Sequence, residues 1–142
     1  MSVETTKQRV LSVLESDAQA SYAEIAEQAG VSKPTVRKYI SQLEEEGVIV
    51  GYSADVDPKK LARTSIALVG IDANSEDYLG VTTALSELEE VETLYSSSGD
   101  HMLLAEVRGV DGSEVADVIQ ENILTIDGVT AAHPCFLQER LK

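Results

Sequence analysis

The junction "AGVSKPTVRKYI", Ala29 to Ile40, constrains this chain more than any other stretch. Upstream of it, Tyr22, Ile25, Ala26 and Ala29 recur at helical spacing, and Ser21 with Glu24 three residues later has the form of a reciprocal N-terminal cap. Gly30 supplies a left-handed residue that stops this helix. Pro34 belongs in the first turn of a new one and disfavours a helical Lys33, so Ser32 or Lys33 caps the second helix. A "GVS" turn this short joins two helices at a steep angle and obliges them to share a core.

Along the second helix of this pair, Val36, Ile40 and Leu43 form one apolar stripe. Rotation by about 100° per residue puts Lys38, Ser41 and Gln42 on the opposite face, flanked by Arg37. Before the pair, Val10, Leu11 and Leu14 predict a helix over Thr6 to Glu15. After it, Gly47 ends the helix, and the alternating "VIVGYSADVDP" predicts a short wing. Residues 1–50 therefore predict a winged helix-turn-helix, and residues 51–62 a hinge strand and linker. A major groove admits one helix whose early side chains reach base edges while Lys and Arg meet phosphates. An exposed "RK" pair by itself is solvated charge; the turn, caps and wing together make it a reading helix for double-stranded DNA.

The charge balance sharpens that reading, because the chain carries a formal net charge of −14 over 142 residues. Residues 1–60 hold seven Lys plus Arg against ten Asp plus Glu, whereas residues 61–142 hold four against fifteen. The acid is concentrated away from the expected contact helix. Acidic excess, only six lysines and many small residues suit a concentrated-salt cytoplasm. No apolar run is long enough to span a bilayer and "MSVETTKQRV" lacks a signal-peptide core, so a cytoplasmic protein with no membrane partner is expected. The single cysteine, Cys135, rules out an intrachain disulfide and a multi-cysteine zinc site, and is expected to be a small buried residue.

The C-terminal part, residues 63–142, reads as an α+β unit. "RTSIALVGIDA" predicts a buried strand and Glu76 to Leu88 a helix; "VETLYSSSGDHMLLAEVRG" predicts two strands about a turn at Gly99 and Asp100. "DGSEVADVIQENIL" predicts a helix with Val115, Val118, Ile119 and Asn122 or Ile123 inward, and "DGVTAAHPCFLQ" a last strand whose Pro134 marks an edge or bulge. The order βαββαβ is the ferredoxin-like arrangement, with both helices on one face of an antiparallel sheet. The other face needs a cover, and a second copy of the chain is the simplest.

"GVSKPTVRKYISQLEEEGVIVGYSADVDPKKL", "SSGDHMLLAEV" and "IDGVTAAHPCFL" resemble, in order and spacing, the Lrp/AsnC family of transcription regulators over essentially the full chain. The resemblance implies a DNA-binding regulator with an ACT-like C-terminal domain that forms a homodimer and often an octamer, takes no cofactor and responds to an amino acid near the hairpin. By position it assigns DNA contacts to Ser32, Lys33, Thr35, Arg37, Lys38, Ser41 and Gln42. It assigns effector contacts to Ser98, Gly99, Asp100, His101, Met102, Ala132 and Pro134. Two features depart from the family pattern: Met102 stands where a second hairpin aspartate is common, and Ala132 and Pro134 replace hydroxyl residues.

Other functions make weaker claims on these residues. Catalysis needs a convergent nucleophile, base or metal set, and only His101, Met102, His133 and Cys135 offer one. The same side chains would serve a metal- or redox-responsive regulator, although two histidines in a chain of this length read first as surface or hairpin residues. A chromatin-like protein that organises DNA without sensing is the third possibility.

Overall fold

The structure is a computed structural model describing Ser2 to Lys142, and the chain divides into two compact units, one up to Ala54 and one from Asp55 onward.

In the first unit three helices surround one small core. Helix α1 spans Val3–Ser16, α2 Tyr22–Ala29 and α3 Lys33–Glu45. Each begins with a serine whose hydroxyl accepts a backbone N–H: Ser2 from Thr5, Ser21 from Glu24 and Ser32 from Thr35. At α2 the Glu24 carboxylate also accepts the Ser21 N–H, completing the expected capping box. Gly30 stops α2 at φ 73°, a conformation that costs a residue without Cβ nothing. Val10, Ile25, Ala29, Val36, Ile40 and Leu43 are buried. So is Lys7, whose ammonium meets Glu46 at 3.0 Å.

One expectation for this unit fails. Tyr22, read as part of the apolar stripe, is 39% exposed; it stands in the first turn of α2, where the ring projects past the core. Residues 46–57, expected as wing and hinge strand, contain no strand within this chain, and residues 58–60 are a 3-10 turn. The Val48 and Ile49 N–H groups both donate back to Leu43 at the end of α3. Val50 is 94% exposed. Alternation alone makes no strand where the chain supplies no ladder partner.

In the second unit the elements are β1 (Ser65–Ala73), α4 (Tyr78–Ser86), β2 (Val91–Ser96), β3 (Leu103–Gly109), α5 (Gly112–Val118) and β4 (Val129–Phe136). They form the predicted βαββαβ order, with an antiparallel sheet arranged β2-β3-β1-β4. Ala67, Val69 and Ile71 of β1 and Leu103, Ala105 and Val107 of β3 face Val81 and Leu85 of α4 and Val115 and Val118 of α5. Both helices therefore cover one face. After α5 the chain continues as a π-helical stretch, Ile119–Ile123, burying Ile119 and Ile123 and leaving Asn122 half-buried.

The opposite face carries no helix. The strand registers align Tyr95, Leu104, Gly70 and His133 in one row across all four strands, and Leu68 with Cys135 in the next. Leu68 and Tyr95 are exposed there, and so is Cys135, against the expectation that it is buried. Cys135 lies on the edge strand β4, on the face the helices leave bare. Pro134 stands in that same edge strand, where a missing N–H breaks no outer ladder.

The candidate DNA interface and the hairpin cluster

The exposed face of α3 is set by its start. Ser32 accepts the Thr35 N–H at 3.3 Å, and the two hydroxyls lie 2.9 Å apart. Those residues thus hold the first turn in place. Pro34 occupies that turn without sacrificing a hydrogen bond. With Val36, Tyr39, Ile40 and Leu43 turned inward, Lys33, Arg37, Lys38 and Ser41 are exposed, Gln42 and Thr35 half-buried.

A groove of about 740 Å³ runs between the start of α2 and this face, lined by Tyr22, Lys33, Pro34, Arg37, Lys38 and Ser41 among others. The Arg37 guanidinium lies 5.6 Å from the centre of the Tyr22 ring, a cation–π contact that steadies it over the groove. Ion pairs among the described residues engage Lys7, Lys59, His101, Arg108 and Arg140. Lys33, Arg37 and Lys38 have no carboxylate partner among them, so their charge is available to phosphates. Sequence reasoning missed Tyr22 as a support; an aromatic residue one position after an N-cap serine, beside the basic helix, was the available signal.

The proposed effector residues are spread over the hairpin and both faces of the sheet. Ser98, Gly99 and Asp100 lie exposed at the tip, Gly99 at φ 119°. The Met102 side chain packs against the helix-side core, as does Ala132, while Pro134 is exposed on β4. His101 takes the other direction. Its ring lies flat over Gly70, where a Cβ would come within 2.3 Å of the ring carbon Cδ2. Gly70 is thus the notch that admits His101 to the sheet.

His101 Nδ1 is 3.0 Å from Asp72 Oδ2, and Asp72 Oδ1 accepts the Met102 N–H at 3.2 Å. The hydrogen bond from His101 chiefly, and the Met102 N–H in addition, hold the Asp72 carboxyl below its ordinary range against the opposing effect of burial. The Ser97 hydroxyl donates to the His101 carbonyl at 2.7 Å, closing the hairpin on itself. His133, from β4, brings its ring to 5.0 Å from that of His101, centre to centre. Of the four side chains weighed from sequence as soft or borderline ligands, His101 and His133 come together with Asp72, and Met102 and Cys135 are not part of that cluster. Asp72 escaped sequence reasoning; its signal was a lone carboxylate in an otherwise apolar strand, two residues from a glycine and so on the same face.

Residues 4–50 match the family described as winged helix-turn-helix DNA-binding, and residues 66–142 the Lrp/AsnC ligand binding domain. The chain is 69% identical to the HTH-type transcriptional regulator LrpA1 of Halobacterium salinarum over 142 residues, all of both proteins. It resembles the solved leucine response regulatory protein LrpA of Mycobacterium tuberculosis with a TM-score of 0.77 and 25% identity, covering 96% of this chain and 93% of that one. A Neisseria meningitidis transcriptional regulator solved as an L-Met complex has the same fold, with a TM-score of 0.72 at 19% identity over 96% of this chain and 90% of the other.

Proposed function

The chain belongs to the Lrp/AsnC family of transcriptional regulators, not to an enzyme family, and from that premise we propose that α3 reads discrete DNA sites and that the C-terminal unit makes this binding respond to an amino acid. The observation that carries the DNA reading is the unpaired basic face of α3: Lys33, Arg37 and Lys38 project from a helix fixed by its cap and by the buried stripe behind it. Groove fit supplies specificity and the cations supply phosphate contacts.

For the effector, support comes from the ligand-binding family matched by residues 66–142 and from the L-Met complex of a protein with the same fold. The exposed hairpin tip, with the Asp100 carboxylate and the backbone about Gly99, offers groups of the kind that hold an amino acid's charged ends. Self-association has its own physical support. Leu68, Leu104 and Tyr95 form an exposed apolar area on the helix-free face, which a two-fold second copy buries most simply. The acidic composition fits a salt-rich cytoplasm, in keeping with the Halobacterium relative.

Genome-wide mapping of bound sites, with and without a panel of amino acids, tests both halves. Discrete sites whose occupancy changes with one amino acid support the reading. Broad, sequence-indifferent occupancy contradicts site-specific reading, and occupancy indifferent to every amino acid contradicts the sensing role.

A further inference from the structure

We propose that Asp72, His101 and His133 form a binding site for one divalent first-row transition-metal ion on the helix-free face of the C-terminal sheet. This goes beyond the amino-acid reading and does not rest on it. One ligand atom from each of the three residues lies within 4.8 Å of the others, and the residues come from β1, the β2–β3 hairpin and β4. Two imidazoles and one carboxylate, without a thiolate, suit Zn²⁺, Ni²⁺, Co²⁺ or Fe²⁺ and leave coordination positions open.

The geometry of the closest pair is the strongest support. His101 Nδ1 and Asp72 Oδ2 are 3.0 Å apart. Two ligands at about 2.0 to 2.2 Å from one ion stand roughly 2.8 to 3.6 Å from each other at bond angles between octahedral and tetrahedral. The ion therefore takes the place of the shared proton, which leaves Nδ1 for Nε2 when the ring is neutral and for solvent when the ring is protonated. His133, whose ring lies 5.0 Å from that of His101, closes the third corner by a change of rotamer that brings its ring nitrogen, already within 4.8 Å of the other two ligand atoms, to bonding distance.

The surroundings hold the first two ligands in register. Asp72 is oriented by the Met102 N–H, and the Ser97 hydroxyl pins the His101 carbonyl. Gly70 supplies the flat floor on which the His101 ring rests. Such outer contacts orient a metal's ligands and tune affinity. Bound metal ties the hairpin to β1 and to the edge strand β4, which gives it a direct means of ordering the hairpin.

The test uses the full-length, chelator-stripped protein in high KCl, titrated with Zn²⁺ against a competing chelator that suppresses weak binding by the acidic surface. Co²⁺ titration adds its visible absorption bands as a coordination signature. The expected result is one ion per chain. Affinity falls by roughly 100-fold in Asp72→Asn, His101→Gln and His133→Gln, and by roughly tenfold in Gly70→Ala, which lifts the ring without removing a ligand. Cys135→Ser binds like the parent, and hydrogen exchange at residues 97–102 slows when metal is added. His133→Gln is the decisive variant because its side chain lies outside the buried core of this chain, and sedimentation velocity checks that its assembly matches the parent's. Unchanged binding in that variant, binding without a fixed stoichiometry, or loss in Cys135→Ser overturns the proposal. DNA binding and amino-acid response are read separately and are unaffected by that failure.

Discussion

The two units of this chain treat charge in opposite ways. On α3, three cations stand free of carboxylates on a face whose geometry is set by a cap and an apolar stripe. In the C-terminal unit, where residues 61–142 carry fifteen acidic groups against four basic ones, Arg108 and Arg140 are both ion-paired. Local arrangement, not the net −14, thus decides what α3 presents to a polyanion. Most of the acid lies outside α3, whose own acidic residues, Glu44 and Glu45, stand at its C-terminal end.

The largest test of this division concerns the two cores. Leu85 and Ile25 are each fully buried, in different clusters. Leu85→Ala and Ile25→Ala should each cost about 2 to 5 kcal/mol. Site-resolved hydrogen exchange should find the lost protection centred in the C-terminal unit for the first and in the helical unit for the second. Equal loss everywhere in both variants would show one cooperative core and erase the comparison.

Next in size is Lys7, buried in the helical unit. Glu46→Ala strands the Lys7 ammonium in the helical unit and should cost about 1 to 3 kcal/mol in urea unfolding, a range already lowered for the exposed side of Glu46. Lys7→Met with Glu46→Gln should recover most of that loss, because the desolvated charge is then gone. No recovery would mean that the pair contributes more than the removal of a buried charge. Smaller again is the cap of the reading helix: Ser32→Ala removes the acceptor for the Thr35 N–H and should destabilise the helical unit by about 0.5 to 2 kcal/mol. DNA affinity should fall with it, and a variant that loses stability while binding normally would separate the cap from the contact face.

The smallest effect is a pH response in the C-terminal unit. Asp57 accepts the N–H groups of Arg140 and Lys59, tying the chain end to the linker. The Arg140 N–H first, then that of Lys59 and the nearby lysine charges, hold the Asp57 carboxyl below its ordinary value. A depressed carboxylate contributes its stabilisation above the unfolded pKa of about 3.9 and loses it as pH falls through the lower folded value. Protease resistance of residues 137–142 should therefore persist from neutral pH to below 4 and then fall. A loss between pH 5 and 7 would point to a different tether.

Much of this arrangement was legible from residue spacing. Period-3.6 stripes with Ser caps, Gly30 and Pro34 located α2 and α3, and β-branched runs separated by Gly-Asp turns located the strands. What escaped was whatever depends on partners distant in sequence. The "VIVGYSADVDP" alternation carried a strand's period but no ladder partner. Cys135 had the composition of a core residue, but its burial depended on which face of β4 met the helices. Asp72, His101 and His133 lie 29 and 32 residues apart along the chain and converge only because β1 pairs with both β3 and β4.

The central claim, that a small basic face on α3 makes the DNA contact, is tested most directly by the salt dependence of affinity for a mapped site. Parent, Arg37→Ala and Lys38→Ala proteins would be compared, with sedimentation velocity confirming an unchanged assembly. The account predicts weaker binding by both variants, with Arg37→Ala costing about 1 to 3 kcal/mol and Lys38→Ala lowering the salt slope by about 1. Parent-like affinity and slope in both variants would remove α3 from the contact and contradict the account.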